Sequence, residues 1–343
     1  MRPLSGLLVC AALLASSARA ATAVVDATGR EIRLAAPAQR VYAAGPPASL
    51  LVYAIDPHKL LGWTRALRPD EAAFLPPDAA RLPELGRLTG RGNSANVETV
   101  LRARPQLIVD VGSTSPYFAS LAERVEAQTG IPYALFDGRI EATPATLRAL
   151  GRLMGEQARA ERLATWYEAE LADARRRVAL VPRDARPRVY YGRGIAGLQT
   201  GGGGSINVEV LDFLGAVNVA EEARAGLVAV PIEQILLWNP EVILTTDPDF
   251  WRAAWQDPRW RAVRAVETQR VYLSPHLPFG WFDFPPGANR LLGVWWAGKL
   301  LYPRAFDFDL RAKVAEFYQL FYHREPTPAQ LDALLGEPGV LPR

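Results

Sequence analysis

The chain has 343 residues, 49% of them apolar, with 39 Lys and Arg against 36 Asp and Glu. That length exceeds one ordinary domain and argues for two of roughly 150 residues, each large enough to bury a core. The net charge of +3 falls close to neutral once Arg2 and Arg19 leave with a leader, and no basic run follows, which excludes a nucleic-acid binder.

The first twenty residues, MRPLSGLLVCAALLASSARA, read as a signal peptide: Arg2 is the basic region, Leu7 to Ala15 the apolar region, and Ala18-Arg19-Ala20 the small-x-small cleavage site. The apolar run is too short to span a bilayer, so a soluble protein exported to the periplasm is expected. The single cysteine, Cys10, follows Val9 inside this leader, a poor setting for lipidation. The mature chain is therefore expected to lack thiols, disulfides and cysteine metal sites.

Residues 21–142 read as a first α/β lobe. Val24 to Leu34 suggests a hairpin turning at Thr28-Gly29, and RVYAA (40–44), LLGWT (60–64), LIVDV (107–111) and YALFD (133–137) read as strands. Gly45-Pro46-Pro47 leads into an apolar helix, and a second helix is expected around Tyr117 to Thr129. Continuous apolar strands alternating with helices imply a mainly parallel sheet covered on both faces. Ligands of such sheets sit beyond the carboxyl ends of the strands. Residues 66–93, rich in Pro and Arg, read as a long loop.

Residues 143–186 are helical. Thr143 and Pro144 open a first helix, and Gly151 and Gly155 mark its joint with a second. That second helix, about Gln157 to Leu180, has no Pro or Gly and is built from strong helix formers. Leu163, Tyr167, Leu171, Ala174 and Val178 make one apolar face, and Asp173 and Arg177 pair on the wet side. It is either a rigid strut between two lobes or a crossover helix within one large sheet.

Residues 187–343 repeat the α/β pattern. RVYYG (188–192), VILTTD (242–247) and RVYLSP (270–275) read as strands, NVEVLDFLG as a helix, and Asn289–Leu301 and Leu310–Tyr322 as C-terminal helices. Gly201 to Gly204 fits neither a P-loop nor a dinucleotide fingerprint, and reads as a mobile or a ligand loop. The fold class is thus α/β, two lobes with mainly parallel central sheets.

A gapless internal repeat links the halves. Glu98 opens ETVLRARPQLIVD and Glu233 opens EQILLWNPEVILT, with Leu101 matching Leu236, Pro105 matching Pro240 and Ile108 matching Ile243. Each is a short helix stopped by Pro before a buried strand. A carboxylate in a first turn suits the helix dipole, but Ala95 and Val230 cannot complete a capping box. Helix-end electrostatics therefore do not explain why both halves present a Glu.

Four segments carry a resemblance: NVETVLRARPQLIVD, LGRLMGEQARAERLATWYEAEL, LQTGGGGSINVEVLDFLGAVNVA and VAVPIEQILLWNPEVILTTD. They resemble the periplasmic substrate-binding proteins of ABC importers for iron-siderophore, haem and cobalamin-type ligands, and span most of residues 24–275. The resemblance implies two lobes joined by one long rigid helix, a ligand in the cleft and little hinge motion. It also implies that Glu98 and Glu233 each pair with Arg on a transmembrane permease dimer, docking the binding protein as a monomer. The tail from Phe279, GWFDFPPGANRLLGVWWAGKLLYP, is longer and more aromatic than in the cobalamin binders.

The expected cleft residues are Trp63, Arg91, Ser113 and Tyr117 from the first lobe and Tyr191, Arg193, Trp251, His276, Phe279 and Trp281 from the second, with Pro46, Ser49, Arg65, Asn93, Thr200, Phe250, Phe282 and Arg290 at further rim positions. Trp295, Trp296 and Tyr318 read as core, and Arg290 reads equally as a surface charge. Aromatic faces and forked guanidinium donors suit a bulky anionic chelate. The expected ligand is a ferric siderophore-like complex, with haem or a corrinoid as alternatives. No cofactor is expected, metal entering only within the bound chelate. Three scattered histidines and no cysteine argue against a bare-metal site. The chain has no Gly-x-Ser-x-Gly elbow, so a binding protein is expected and an exported two-domain hydrolase is the rival. A ligand sensor would share the same fold.

Overall fold

The computed structural model describes residues 21–90, 94–224 and 226–342; the leader and Cys10 lie outside the described residues. The chain opens on an antiparallel hairpin, β1 (Thr22–Val25) and β2 (Glu31–Leu34), turning at Gly29 with φ 84°. Asp26 fixes the turn by accepting from the Thr28 and Arg30 N–H groups, and it also accepts from the Leu135 N–H of the first lobe.

The first lobe runs β3 (Val41–Ala43), α1 (Pro46–Ile55), α2 (Pro69–Ala72), α3 (Pro77–Ala80), α4 (Val97–Ala103), β4 (Leu107–Gly112), α5 (Pro116–Thr129) and β5 (Tyr133–Asp137). Its sheet is parallel with order β3-β4-β5. The expected strand LLGWT is not a regular strand. It makes isolated bridges, Leu60 to Val41 and Trp63 to Glu84. Gly62 lies between the two, and a Cβ there would meet the Pro83 carbonyl at 2.4 Å, so the segment turns away from β3 to pair with the chain after Pro83. The supposed loop that follows is anchored: Trp63 Nε1 donates to Ala79 O at 2.8 Å, and buried Glu71 takes both Nη groups of Arg65 at 2.7 Å.

Two helices join the lobes, α6 (Thr143–Met154) and α7 (Gln157–Ala179). Thr143 is helical rather than capping, because a 3₁₀ turn at Ile140–Ala142 leads straight into α6. Gly151 lets the two helices touch: a Cβ there would stand 2.3 Å from that of Ala160. At 1.5 Å per residue α7 is about 34 Å long. Its buried face is Ala160, Leu163, Ala164, Tyr167, Leu171 and Ala174, while Arg177 Nε meets Asp173 at 2.7 Å on the other side. Burying each large apolar side chain contributes about 1.5–3 kcal/mol.

The second lobe runs β6 (Arg188–Gly192), β7 (Gln199–Gly201), α8 (Glu209–Leu214), β8 (Val217–Asn218), β9 (Leu227–Ala229), α9 (Ile232–Trp238), β10 (Val242–Thr245), α10 (Pro248–Gln256), α11 (Arg264–Glu267), β11 (Val271–Leu273), α12 (Arg290–Leu301), α13 (Leu310–Phe321) and α14 (Pro328–Gly336). Its main sheet is parallel with order β11-β10-β6-β8, and β7 pairs antiparallel with β9. At the sheet edge Asn218 of β8 pairs with Val189 of β6. The α7 helix packs on α1 of the first lobe and on α8 and α12 of the second, the arrangement of a strut. The tail then returns to the first lobe: α13 packs on α1, and Tyr53 Oη donates to Tyr322 O at 2.9 Å. Trp295, Trp296 and Tyr318 are core, as expected.

Candidate ligand-binding site between the lobes

The two lobes enclose a cavity of about 350 Å³. Its first-lobe wall comprises the start of α1 (Gly45 to Leu50), Trp63 to Arg65, Thr89 and the carboxyl end of β4 running into Ser113. This is where a parallel sheet places ligands. Arg193 beyond β6, Asn207 before α8, and the Phe279 and Asp283–Pro286 segment close the other side. Trp63 and Phe279 meet across the lobes with ring centroids 5.6 Å apart.

The charged groups are held tightly. Asp283, almost fully buried, has Arg193 Nε at 2.6 Å and accepts from Tyr191 Oη at 2.9 Å and from the Asn207 amide. Arg193 also donates from Nη1 to Gln199 at 3.0 Å. Burial, and then the Asp283 carboxylate, push the Tyr191 phenol far above its ordinary range, so it serves as a donor. On the opposite wall Asp110 accepts from Thr89 Oγ1 at 3.0 Å, from the Val111 N–H at 2.9 Å and from Tyr133 Oη at 3.2 Å. Burial raises its pKa against those three hydrogen bonds.

Trp63, Ser113, Arg193 and Phe279 line the cavity, with Pro46, Ser49 and Arg65 from the wider rim. Arg91 and Asn93 lie outside the described residues. The other expected positions are elsewhere. Tyr191 is buried behind the wall, where it supports Asp283. Trp281 is core, its indole facing Tyr318 Oη at 3.4 Å, and Phe282 is core beside it. Tyr117 is exposed, and its neighbour Phe118 lines the cavity in its place. Trp251 donates to Val271 O at 3.1 Å and lines a separate hollow near the C-terminal tail. His276 is half-buried beyond β11 and is not part of the cavity wall. Thr200 and Phe250 are fully buried, away from the cavity. Arg290 is not a surface charge. It is fully buried, pairs with Glu209, and donates to the carbonyls of Ile206 at 3.2 Å and of Gly138 in the first lobe.

Asp110, Asp283, Thr89, Asn207 and Phe284 were not expected at the site. Asp110 and Asp283 carried a signal, each being a lone charge in an apolar run, LIVDV and GWFDF. Among the described residues no group of three His, Cys, Asp or Glu could hold a metal ion.

Glu98 and Glu233 stand in the first turns of α4 and α9, and both are exposed. Glu98 pairs with Arg102 at 2.7 Å. The α4 helix does have an N-cap, Asn96, whose side chain accepts from the Thr99 N–H at 3.0 Å.

Comparison with known proteins places these features. A solved ABC transporter solute binding protein from Sulfurospirillum deleyianum is 31% identical and superposes with a TM-score of 0.84 over 92% of this chain and 99% of that one. The molybdate-binding protein MolA of Haemophilus influenzae is 34% identical over 155 residues, 44% of this chain and only 43% of that protein. The vitamin B12-binding protein of Pectobacterium atrosepticum is 26% identical over 60% of this chain and 71% of its own. Residues 57–276 match the family model described as periplasmic binding protein. Such proteins bind and do not catalyse, which removes the hydrolase reading. A match of that extent decides the matter: the chain belongs to the periplasmic binding protein family of ABC transporters.

Proposed function

We propose that this chain is the ligand-capturing subunit of an ABC importer, and that its interlobe cavity takes an iron chelate of the ferric siderophore type. The supporting observation is the composition of the wall. Trp63, Phe118, Phe279, Phe284 and the prolines at 46, 47, 285 and 286 supply apolar surface around the Arg193 guanidinium, and two buried carboxylates share that wall. An organic chelate presents apolar faces to aromatic rings and anionic oxygens to a guanidinium. A volume of about 350 Å³ sits near the lower end for small-molecule sites and favours a compact chelate. Corrinoids are the larger alternative and would need the lobes to part further; haem is comparable in bulk to a ferric trihydroxamate and is separated from it by the titration below. Glu98 and Glu233, one exposed carboxylate on each lobe, would orient the protein on a permease dimer.

A second reading, a free oxyanion, is favoured by the likeness to the molybdate-binding protein. Trp63 in the wall makes the choice measurable. Titration with a ferric trihydroxamate, haem, cobalamin and molybdate is expected to give saturable, stoichiometric fluorescence quenching strongest for the iron chelate, with the ligand recovered unchanged. Tight binding of molybdate alone would overturn the chelate.

A further inference from the structure

Each lobe sets one buried carboxylate in the cavity wall, and the two are equipped differently. Asp283 has a cation of its own, Arg193 at 2.6 Å. Asp110, 4% exposed at the carboxyl end of β4, is met among the described residues only by neutral donors: the Thr89 hydroxyl, the Val111 N–H and the Tyr133 phenol. Gly45 keeps the approach to this group open, since a Cβ there would stand 2.7 Å from Thr89 Oγ1 and 3.4 Å from Asp110 Oδ1. A buried carboxylate without a counterion is costly. The cost falls when the group takes up a proton, or when a bound ligand brings a donor to it. A second full anion in the cavity does neither.

Resting on the reading of this cavity as the ligand site, we propose that Asp110 determines its specificity, admitting ligands that bring a proton or hydrogen-bond donor to the first-lobe wall and rejecting fully ionised oxyanions. A protonated or hydroxyl-bearing chelate satisfies Asp110 directly. A dianion such as molybdate enters only if Asp110 is first protonated, so its binding consumes a proton. The surrounding groups do not supply that proton. Tyr133 and Tyr42, on the two flanking strands, are kept neutral by burial, Tyr42 being pushed up to about 12. Arg30 stands beyond Tyr133, and Arg65, Arg87, Arg193 and Asp283 share the cavity. Burial favours the protonated form of Asp110 itself.

The test titrates sodium molybdate and a ferric trihydroxamate into the wild type and Asp110→Asn, an isosteric change whose fold is checked by thermal melting. At about pH 8, Asp110→Asn is expected to bind molybdate about tenfold or more tightly than the wild type. Wild-type molybdate affinity should fall as pH rises and Asp110 gives up its proton, and the variant's should stay flat. Equal or weaker molybdate binding by the folded variant at the higher pH overturns the proposal. So does a wild-type molybdate affinity that does not change with pH, a result that needs no variant. Chelate binding is read separately: if the chelate fails to bind while molybdate follows the expected trends, the ferric-chelate reading fails and the role of Asp110 is upheld.

Discussion

Arg104 and Asn239 occupy the same station in the two lobes. Each ends a seven-residue helix in the left-handed conformation, at φ 49° and φ 42°, and each precedes a proline that feeds a central parallel strand. The repeat that aligns Glu98 with Glu233 is therefore a repeat of backbone as well as of residue type. It gives each lobe an exposed carboxylate at the start of an equivalent short helix.

The equivalence predicts unequal responses to glycine. The exposed Arg104 side chain bears the strain of a Cβ in the left-handed region, so Arg104→Gly should stabilise the fold by about 0.5–1 kcal/mol. Asn239 tolerates that region better, and its Oδ1 accepts from the Arg264 N–H at 2.8 Å. Asn239→Gly should therefore be neutral or cost about 0.5–1 kcal/mol. Urea denaturation of the two variants measures the difference.

If Glu98 and Glu233 dock the protein as proposed, docking should be separable from capture. Glu98 and Glu233 lie outside the cavity wall, so Glu98→Ala with Glu233→Ala should leave ligand affinity and melting temperature nearly unchanged while strongly reducing transport in vesicles holding the cognate importer. Each single change should do less than the pair, and added salt should mimic the loss. Unchanged transport by the double variant would reduce these groups to helix-end charges.

The periodic and punctuated parts of the fold were legible in the sequence. The 23 residues of α7 without Pro or Gly, the apolar strands and the Glu-to-Pro repeat each express a local rule. The site was legible in part, because which tryptophan faces the cavity is not a local property. Trp63 and Trp281 share a residue type, yet one lines the wall and the other is core. Arg290 looked like a surface charge because its partner, Glu209, lies 81 positions away. Asp110 and Asp283 were visible as charges in apolar runs, but nothing local says that one of them meets Arg193 and the other, among the described residues, only neutral donors. The Thr327–Gln330 capping box of α14 was a readable helix signal.

His323 makes the junction of α13 and α1 sensitive to acid. Its Nε2 lies 3.0 Å from the Tyr53 carbonyl, and its ring meets Tyr53 edge-on at 5.2 Å. Burial holds its pKa below the ordinary value; the Tyr53 carbonyl opposes that shift and the Arg159 charge adds to it. The unfolded chain thus binds this proton more readily than the folded one. The contribution of His323 to stability is complete above about pH 6.5 and is lost as pH falls below that value. His323→Asn, which tolerates the local φ of 56°, should melt lower at neutral pH but lose less on acidification. Parallel melting curves for the two proteins across that range would contradict the assignment.

The proposed cargo of the cavity walled by Trp63, Phe279 and Arg193 is an intact iron chelate. Native mass spectrometry and the visible spectrum of the protein, taken directly from the periplasm of iron-limited cells, test it most directly. The expected result is one iron-bearing organic adduct per chain with a ligand-to-metal charge-transfer band, both reduced in Phe279→Ala. A chain carrying only a free oxyanion, or an adduct insensitive to Phe279→Ala, would contradict it.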